Sequence, residues 1–191
     1  MKLFSILSLT ALLVLNSAFI GDTVVKVDAS KSKITWLAKK VTGQHTGMIK
    51  VKSGSLKMNK GALSGGSFEI DMNSIECTDL QGEYAGKLVG HLKSDDFFSS
   101  SRFPVAKLDI TKVGRSSAAN TYLVDANLNI KGLTQPISFE AVVNGTMATA
   151  KIMVDRTQFG IKYGSGSFFD NLGDKAIENE FTLDVQLALT R

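Results

Sequence analysis

One cysteine and two histidines in 191 residues leave little material for reactive chemistry. The lone Cys77 cannot close an internal disulfide. With no histidine or basic pair beside it in sequence, its thiol reads as a small buried apolar group and not as a nucleophile. No G-x-S-x-G or comparable nucleophile motif occurs. His45, His91, Cys77 and the scattered carboxylates lack metal-ligand spacing, so no metal and no cofactor is expected. Lysine and arginine cluster no further than pairs such as Lys39-Lys40, which is no footprint for nucleic acid. No apolar run reaches the about 20 residues of a membrane span.

The longest apolar run is at the N-terminus. Lys2 followed by Leu3–Leu15 has the charge and length of a secretory signal, with cleavage expected near Ala18. An uncleaved anchor is the alternative. No cysteine lies near this junction, so attachment through a lipidated N-terminal cysteine is not expected. Residues 1–21 are therefore read as a signal peptide, and 22–191 as one exported domain, periplasmic or secreted. In that segment Lys and Arg outnumber Asp and Glu by only 21 to 18.

Within it the dominant period is two. Ile34, Trp36 and Ala38 share one face of "SKITWLAKK", and Phe68, Ile70 and Met72 share a face against Glu69 and Asp71. Val124, Ala126, Leu128 and Ile130 alternate with Asp125, Asn127 and Asn129, and Ile137, Phe139, Ala141 and Val143 repeat the pattern. Phe181, Leu183, Val185, Leu187 and Leu189 close the chain in the same way. Strands with one dry and one wet face pair antiparallel. Asn144-Gly145 reads as a type I′ hairpin turn, Asn59-Lys60-Gly61 and Lys131-Gly132 as further turns, and "YGSGS" at 163–167 as a flexible loop. The pattern predicts eight or nine strands in a sandwich or barrel.

One segment breaks the period. Thr78-Asp79-Leu80-Gln81 has the form of a capping box, and Leu80, Tyr84, Leu88 and Leu92 follow at helical spacing. Gly82, Gly86 and Gly90 recur at the same interval, which predicts close approach of a neighbouring backbone. A weak helix among strands is expected to cap one end of a barrel. In "HLKSDDFFSSSRFP" (91–104), Ser94 reads as an N-cap with Asp95 and Asp96 in the first turn, Phe97 and Phe98 as its apolar anchors, and Pro104 as the launch of a strand. His91 has no such structural role. Hydrogen bonding within the fold, contact with a polar ligand group, and chemistry all stay open for it.

The same stretch resembles the "HL-x-S-x-D-F-F…(Y/F)-P" signature of the YceI-like family of polyisoprenoid-binding proteins. "DASKSKITWLAKK", "IDMNSIEC", "LNIKGLTQPISF" and "DRTQFGI" are similar to further blocks of that family, in family order over 27–190. The resemblance implies an all-β fold, an extended eight-stranded antiparallel lipocalin-like barrel with a helical cap segment, holding a long isoprenoid chain inside. One departure stands out. The family commonly carries Arg-Asp shortly before the histidine, where Val89-Gly90 stand here.

The expected ligand-binding lining is Ile34, Trp36, Ala38, Phe68, Ile70, Leu108, Ile110, Leu128, Ile130, Phe139 and Phe159, with His91 toward the cap. The small residues Ala38, Ala126 and Ala141 would leave room for a tail. The expected function is to bind and carry or store an isoprenoid quinone or a prenyl phosphate, without catalysis. Transient contact with a membrane or membrane protein, and a dimer, are compatible with that role. The alternatives are a fatty acid or amide amphiphile as ligand, a closed barrel serving as an interaction module, and a head-group enzyme using His91 with Asp95 or Asp96.

Overall fold

The structure is a computed structural model, and it describes residues 21–190. The expected signal peptide lies outside the described residues but for Gly21. Eight strands form one closed barrel in which each is antiparallel to its sequence neighbours and the last returns to the first. They are β1 (Thr23–Lys40), β2 (Gly43–Asn59), β3 (Ala62–Cys77), β4 (Val105–Arg115), β5 (Thr121–Ile130), β6 (Leu133–Asn144), β7 (Met147–Asp155) and β8 (Ile177–Leu189), with helix α1 (Gly82–Lys93) between β3 and β4. Among the described residues no helix is long and apolar enough to cross a membrane.

The alternation read from sequence is realised. Val124 and Ala126 are each 1% exposed, whereas their neighbours Leu123 and Asn127 face solvent. Strands as long as β1 must bend to close a barrel. Its register shifts between Lys26 and Ile34 against β2, and between Asp28 and Lys33 against β8, which are the bulges that curve it. The barrel has two unlike ends. The β2–β3, β4–β5 and β6–β7 turns gather at one with the start of β1 and the end of β8. At the other end lie the β1–β2 turn, α1 with its 94–104 extension, the β5–β6 turn and the 156–176 connection. We call the second the capped end.

Lys60-Gly61 and Lys131-Gly132 have positive φ at both residues, as a type I′ turn demands. The β6–β7 turn departs from expectation. Asn144 pairs with Met147, so the loop is Gly145-Thr146, and only Gly145 has positive φ. That is the pattern of a type II′ turn, with glycine first. Beyond Ala141↔Ala150 the ladder between β6 and β7 stops, and Pro136 lies in the part of β6 that β7 does not pair. Beyond that stretch a side-chain bond from Gln135 Nε2 to the Gln158 carbonyl (3.1 Å) ties β6 to the 3-10 turn that follows β7.

The cap also differs in detail. The N-cap of α1 is Gln81, without a side-chain capping bond, so the expected capping box does not form. Thr78 instead donates its N–H to the Thr46 carbonyl (2.9 Å), holding the chain against β2 for longer. Tyr84 is 74% exposed and only Leu92 of the helical stripe is buried. Gly82, Gly86 and Gly90 face open space, so the expected close approach of a backbone does not occur there. Ser94 is not an N-cap but closes α1, its Oγ donating back to the His91 carbonyl (2.8 Å). Asp95 accepts from Ser99 Oγ (2.7 Å) and braces the turn that buries Phe97. The "YGSGS" loop is anchored at its centre, where the buried Ser165 donates to Asn179 Oδ1 (2.6 Å).

Close approach of a backbone is needed elsewhere, at Gly47. A Cβ there would fall 1.8 Å from the Glu76 carbonyl oxygen and 2.5 Å from the Trp36 indole. The missing side chain lets the ring lie over β2 while its Nε1–H donates to that same carbonyl (3.1 Å). Gly47→Ala should therefore displace Trp36 and lower stability by about 2–3 kcal/mol in urea denaturation. Gly86→Ala, in open space on α1, should instead stabilise by up to about 1 kcal/mol.

Candidate functional site

The barrel encloses a cavity of about 250 Å³. Of the residues expected from sequence to line it, Ile34, Trp36 and Ala38 come from β1, Phe68 and Ile70 from β3, Leu108 and Ile110 from β4, Leu128 and Ile130 from β5, and Phe139 from β6. His91 joins them from the last turn of α1. Phe159 does not. It is 1% exposed, but it sits in the 3-10 turn after β7 and packs outside the cavity. Ala126 is likewise buried without reaching the lumen, whereas Ala38 and Ala141 do reach it.

Sequence reading passed over the β2 contribution of Ile49, Val51 and Leu56. The reason is physical. β2 slips register against β3 between Met48 and Lys50 and again between Val51 and Ser53, so its inward residues do not keep strict alternation. Ala148 and Ile152 of β7 were passed over as well.

The lining is polarised along the barrel. Toward the end of the tight turns it is apolar, with Leu56, Leu63, Val143 and Leu187. Apart from Thr149, its polar members lie at the capped end: Lys39 and Lys40 closing β1, His45 opening β2, His91 of α1, Arg156 after β7, and Glu178 opening β8.

Arg156 is the main residue that sequence reading missed. It is 2% exposed, and its guanidinium donates to four backbone carbonyls: Glu178 (3.0 Å), Ile161 (2.9 Å), Tyr163 (2.9 Å) and Ile177 (3.0 Å). It also stacks over Phe97, 5.5 Å from the ring centre. No carboxylate among the described residues is ion-paired with it. Burial lowers its pKa from the ordinary value, and the charge of Asp155 opposes that shift. The one sequence signal was an arginine just ahead of Phe159 and Ile161 in "DRTQFGI".

His91 packs edge-on against Phe97 (5.2 Å between ring centres) and Tyr163 (4.5 Å). Its Nε2 is buried with no hydrogen-bond partner, alone in this among the side-chain nitrogens and oxygens of the described residues. The aspartates that a head-group enzyme would pair with it are engaged elsewhere or exposed. Asp95 braces Ser99 and lies 3.4 Å from Arg102 Nε, and Asp96 faces solvent. Among the described residues no group of three or more His, Cys, Asp or Glu side chains could hold a metal ion.

Near the rim His45 and Asp79 form a pair (Nδ1–Oδ2, 2.8 Å) while the Thr46 N–H donates to Asp79 Oδ1 (2.9 Å). Cys77 Sγ donates to the same oxygen (3.2 Å), and burial pushes its thiol pKa up, as suits an inert thiol. Burial acts to raise the Asp79 pKa, but the Thr46 and His45 bonds outweigh it and hold the carboxyl at about 2. A depressed carboxyl stabilises the fold above its unfolded pKa, near 4, and that stability is lost as pH falls toward 2. After solvent screening the expected loss is on the order of 1 kcal/mol. Urea midpoints at pH 6 and pH 2.5 should differ less for Asp79→Asn than for the unmodified protein.

A family model described as YceI-like domain matches residues 25–189. A curated relative, a UPF0312 protein of Shewanella denitrificans, is 26% identical over 88 residues. That stretch covers 46% of this chain and 44% of the relative, less than half the length of the curated protein it matches. Among solved structures, BcnA of Burkholderia cenocepacia aligns with a TM-score of 0.69 at 19% identity, covering 86% of this chain and 99% of its own. A polyisoprenoid binding domain from Saccharophagus degradans aligns at 0.62 and 16% identity, covering 86% and 97%. At these identities the structural likeness speaks for the fold.

Proposed function

From the premise that this chain belongs to the YceI-like family, and from the cavity its barrel encloses, we propose that it binds and carries a long-chain isoprenoid-type lipid, a quinone or a prenyl phosphate. The tail lies in the apolar lumen and the head under the cap, near His91. The observation that carries this reading is a lumen lined by apolar side chains from every strand, with all its polar members but Thr149 at one end. Burial of hydrocarbon contributes about 0.8 kcal/mol per CH₂, so a tail of several isoprene units binds tightly without an ionic contact. The Saccharophagus neighbour, described as polyisoprenoid binding, supports the same ligand class. A binding role is the reading proposed here: among the described residues no nucleophile motif or oriented acid–base pair faces the lumen. Export through the N-terminal 21 residues would put it in the periplasm or outside the cell.

Mass spectrometry of organic extracts from the purified protein tests the reading. A co-purifying isoprenoid, or uptake of one by delipidated protein, is the expected result. A fatty acid or amide in its place would transfer the role to that amphiphile class. Failure to take up any long-chain lipid would make the barrel a closed interaction module.

A further inference from the structure

Polar groups inside an apolar cavity are expensive to keep unless something answers them. Arg156 is a fully formed cation at 2% exposure whose partners are carbonyl dipoles, not a carboxylate. A guanidinium has five N–H donors, and its four bonds to protein leave one unassigned. His91 Nε2, buried in the same lining, has no partner. Lys39 and Lys40 add two cations at the same end, and neither is ion-paired among the described residues. Against these three cations the lining at that end holds one carboxylate, Glu178, so the formal excess is 3 − 1 = +2.

Resting on the carrier reading above, we infer that the head group seated under the cap is a phosphate ester, so that the cargo is an anionic prenyl phosphate and not a neutral quinone. A phosphomonoester brings a charge of about −1.5 to −2 and three acceptor oxygens. That charge matches the local excess, and its oxygens accept hydrogen bonds from the free guanidinium N–H and from His91 Nε2–H. A quinone carbonyl would accept from His91 but leave the charge excess of the lining unbalanced. A carboxylate head supplies only one charge and two of the three oxygens. The cationic partners come from β1 and from the segment after β7.

The test titrates delipidated protein with farnesyl phosphate, farnesol, a benzoquinone bearing a farnesyl tail, and inorganic phosphate. The phosphate ester should bind at least about tenfold more tightly than the alcohol, the yield of one charge-assisted hydrogen bond. That preference should shrink as salt rises. In Lys39→Gln/Lys40→Gln, whose side chains are exposed and whose fold circular dichroism can verify, the ratio of the two dissociation constants should fall several-fold toward one, and in His91→Ala likewise. Inorganic phosphate should neither bind measurably nor compete. Equal, salt-insensitive affinity for ester and alcohol, or tighter binding of the quinone, would overturn the head-group assignment and leave the carrier intact. Inorganic phosphate competing as well as the ester would overturn it too, by making the anion site independent of a tail. If no farnesyl compound binds, the carrier reading itself has failed.

Discussion

Arg156→Met should lower unfolding stability by at least about 4 kcal/mol, a large effect for a single polar side chain. The methionine fills most of the volume but donates nothing. The carbonyls of Ile161, Tyr163, Ile177 and Glu178 then lose the partner that joins the 156–163 turn to the start of β8. Each buried carbonyl left unpaired costs about 1–3 kcal/mol, less whatever water recovers at the capped end. Against a typical total of 5–15 kcal/mol this is enough to leave much of the chain unfolded at 37 °C. Arg156→Lys should rescue little, since one ammonium on a flexible stem cannot reach four carbonyls placed for a planar fork. Urea denaturation followed by Trp36 fluorescence measures both variants. A loss below about 1 kcal/mol for Arg156→Met would mean that water replaces the guanidinium and that the turn is not held by it.

That residue also marks where sequence reading stops. Alternation made β1, β3, β5, β6 and β8 legible, because a period of two needs only local information. The wall of the cavity followed from it, down to Ile34, Ile70, Leu128 and Phe139. Where a strand bulges, as β2 does after Val51, the period slips and inward residues such as Leu56 no longer announce themselves. Turn chemistry was legible at Lys60-Gly61 and Lys131-Gly132, where the glycine takes the second loop position. It misled at Asn144-Gly145, where the register puts glycine first. The capping-box pattern at Thr78 lost to tertiary structure: its N–H found the Thr46 carbonyl, and Asp79 was drawn to His45 and Thr46. Arg156 lay beyond local reasoning altogether, since its four acceptors are defined by how the chain returns from the 3-10 turn to β8. The unpartnered nitrogen of His91 is of the same kind, visible only once the rings of Phe97 and Tyr163 are packed around it.

Ile70→Asp should abolish lipid retention and cost several kcal/mol of stability, and the contrast with its neighbours tells inside from outside. Ile70 pairs with Val51 on one side and Ala106 on the other, and its side chain forms part of the lumen wall. A carboxyl there has no donor within an apolar cavity, so it must either stay charged at high cost or take up a proton and remain an unbonded polar group. In both forms it drives water into the space a tail would occupy. Phe139→Asp should act in the same direction but less severely, since Phe139, half-buried like Ile70, lies where β6 has no partner in β7. Outward residues respond differently, and not uniformly. Glu140 is exposed and makes no ion pair, so Glu140→Ala should stay within about 0.5 kcal/mol. Asp71 faces outward too, yet its Oδ1 accepts the Asn73 N–H (2.9 Å), and Asp71→Ala should lose about 1 kcal/mol with lipid retention unchanged. Thermal unfolding and the lipid content of organic extracts, measured together on the four variants, separate the two effects. Retention that survives Ile70→Asp would put the ligand outside the barrel, because no hydrocarbon tail can share that stretch of wall with a carboxyl group and still keep it dry.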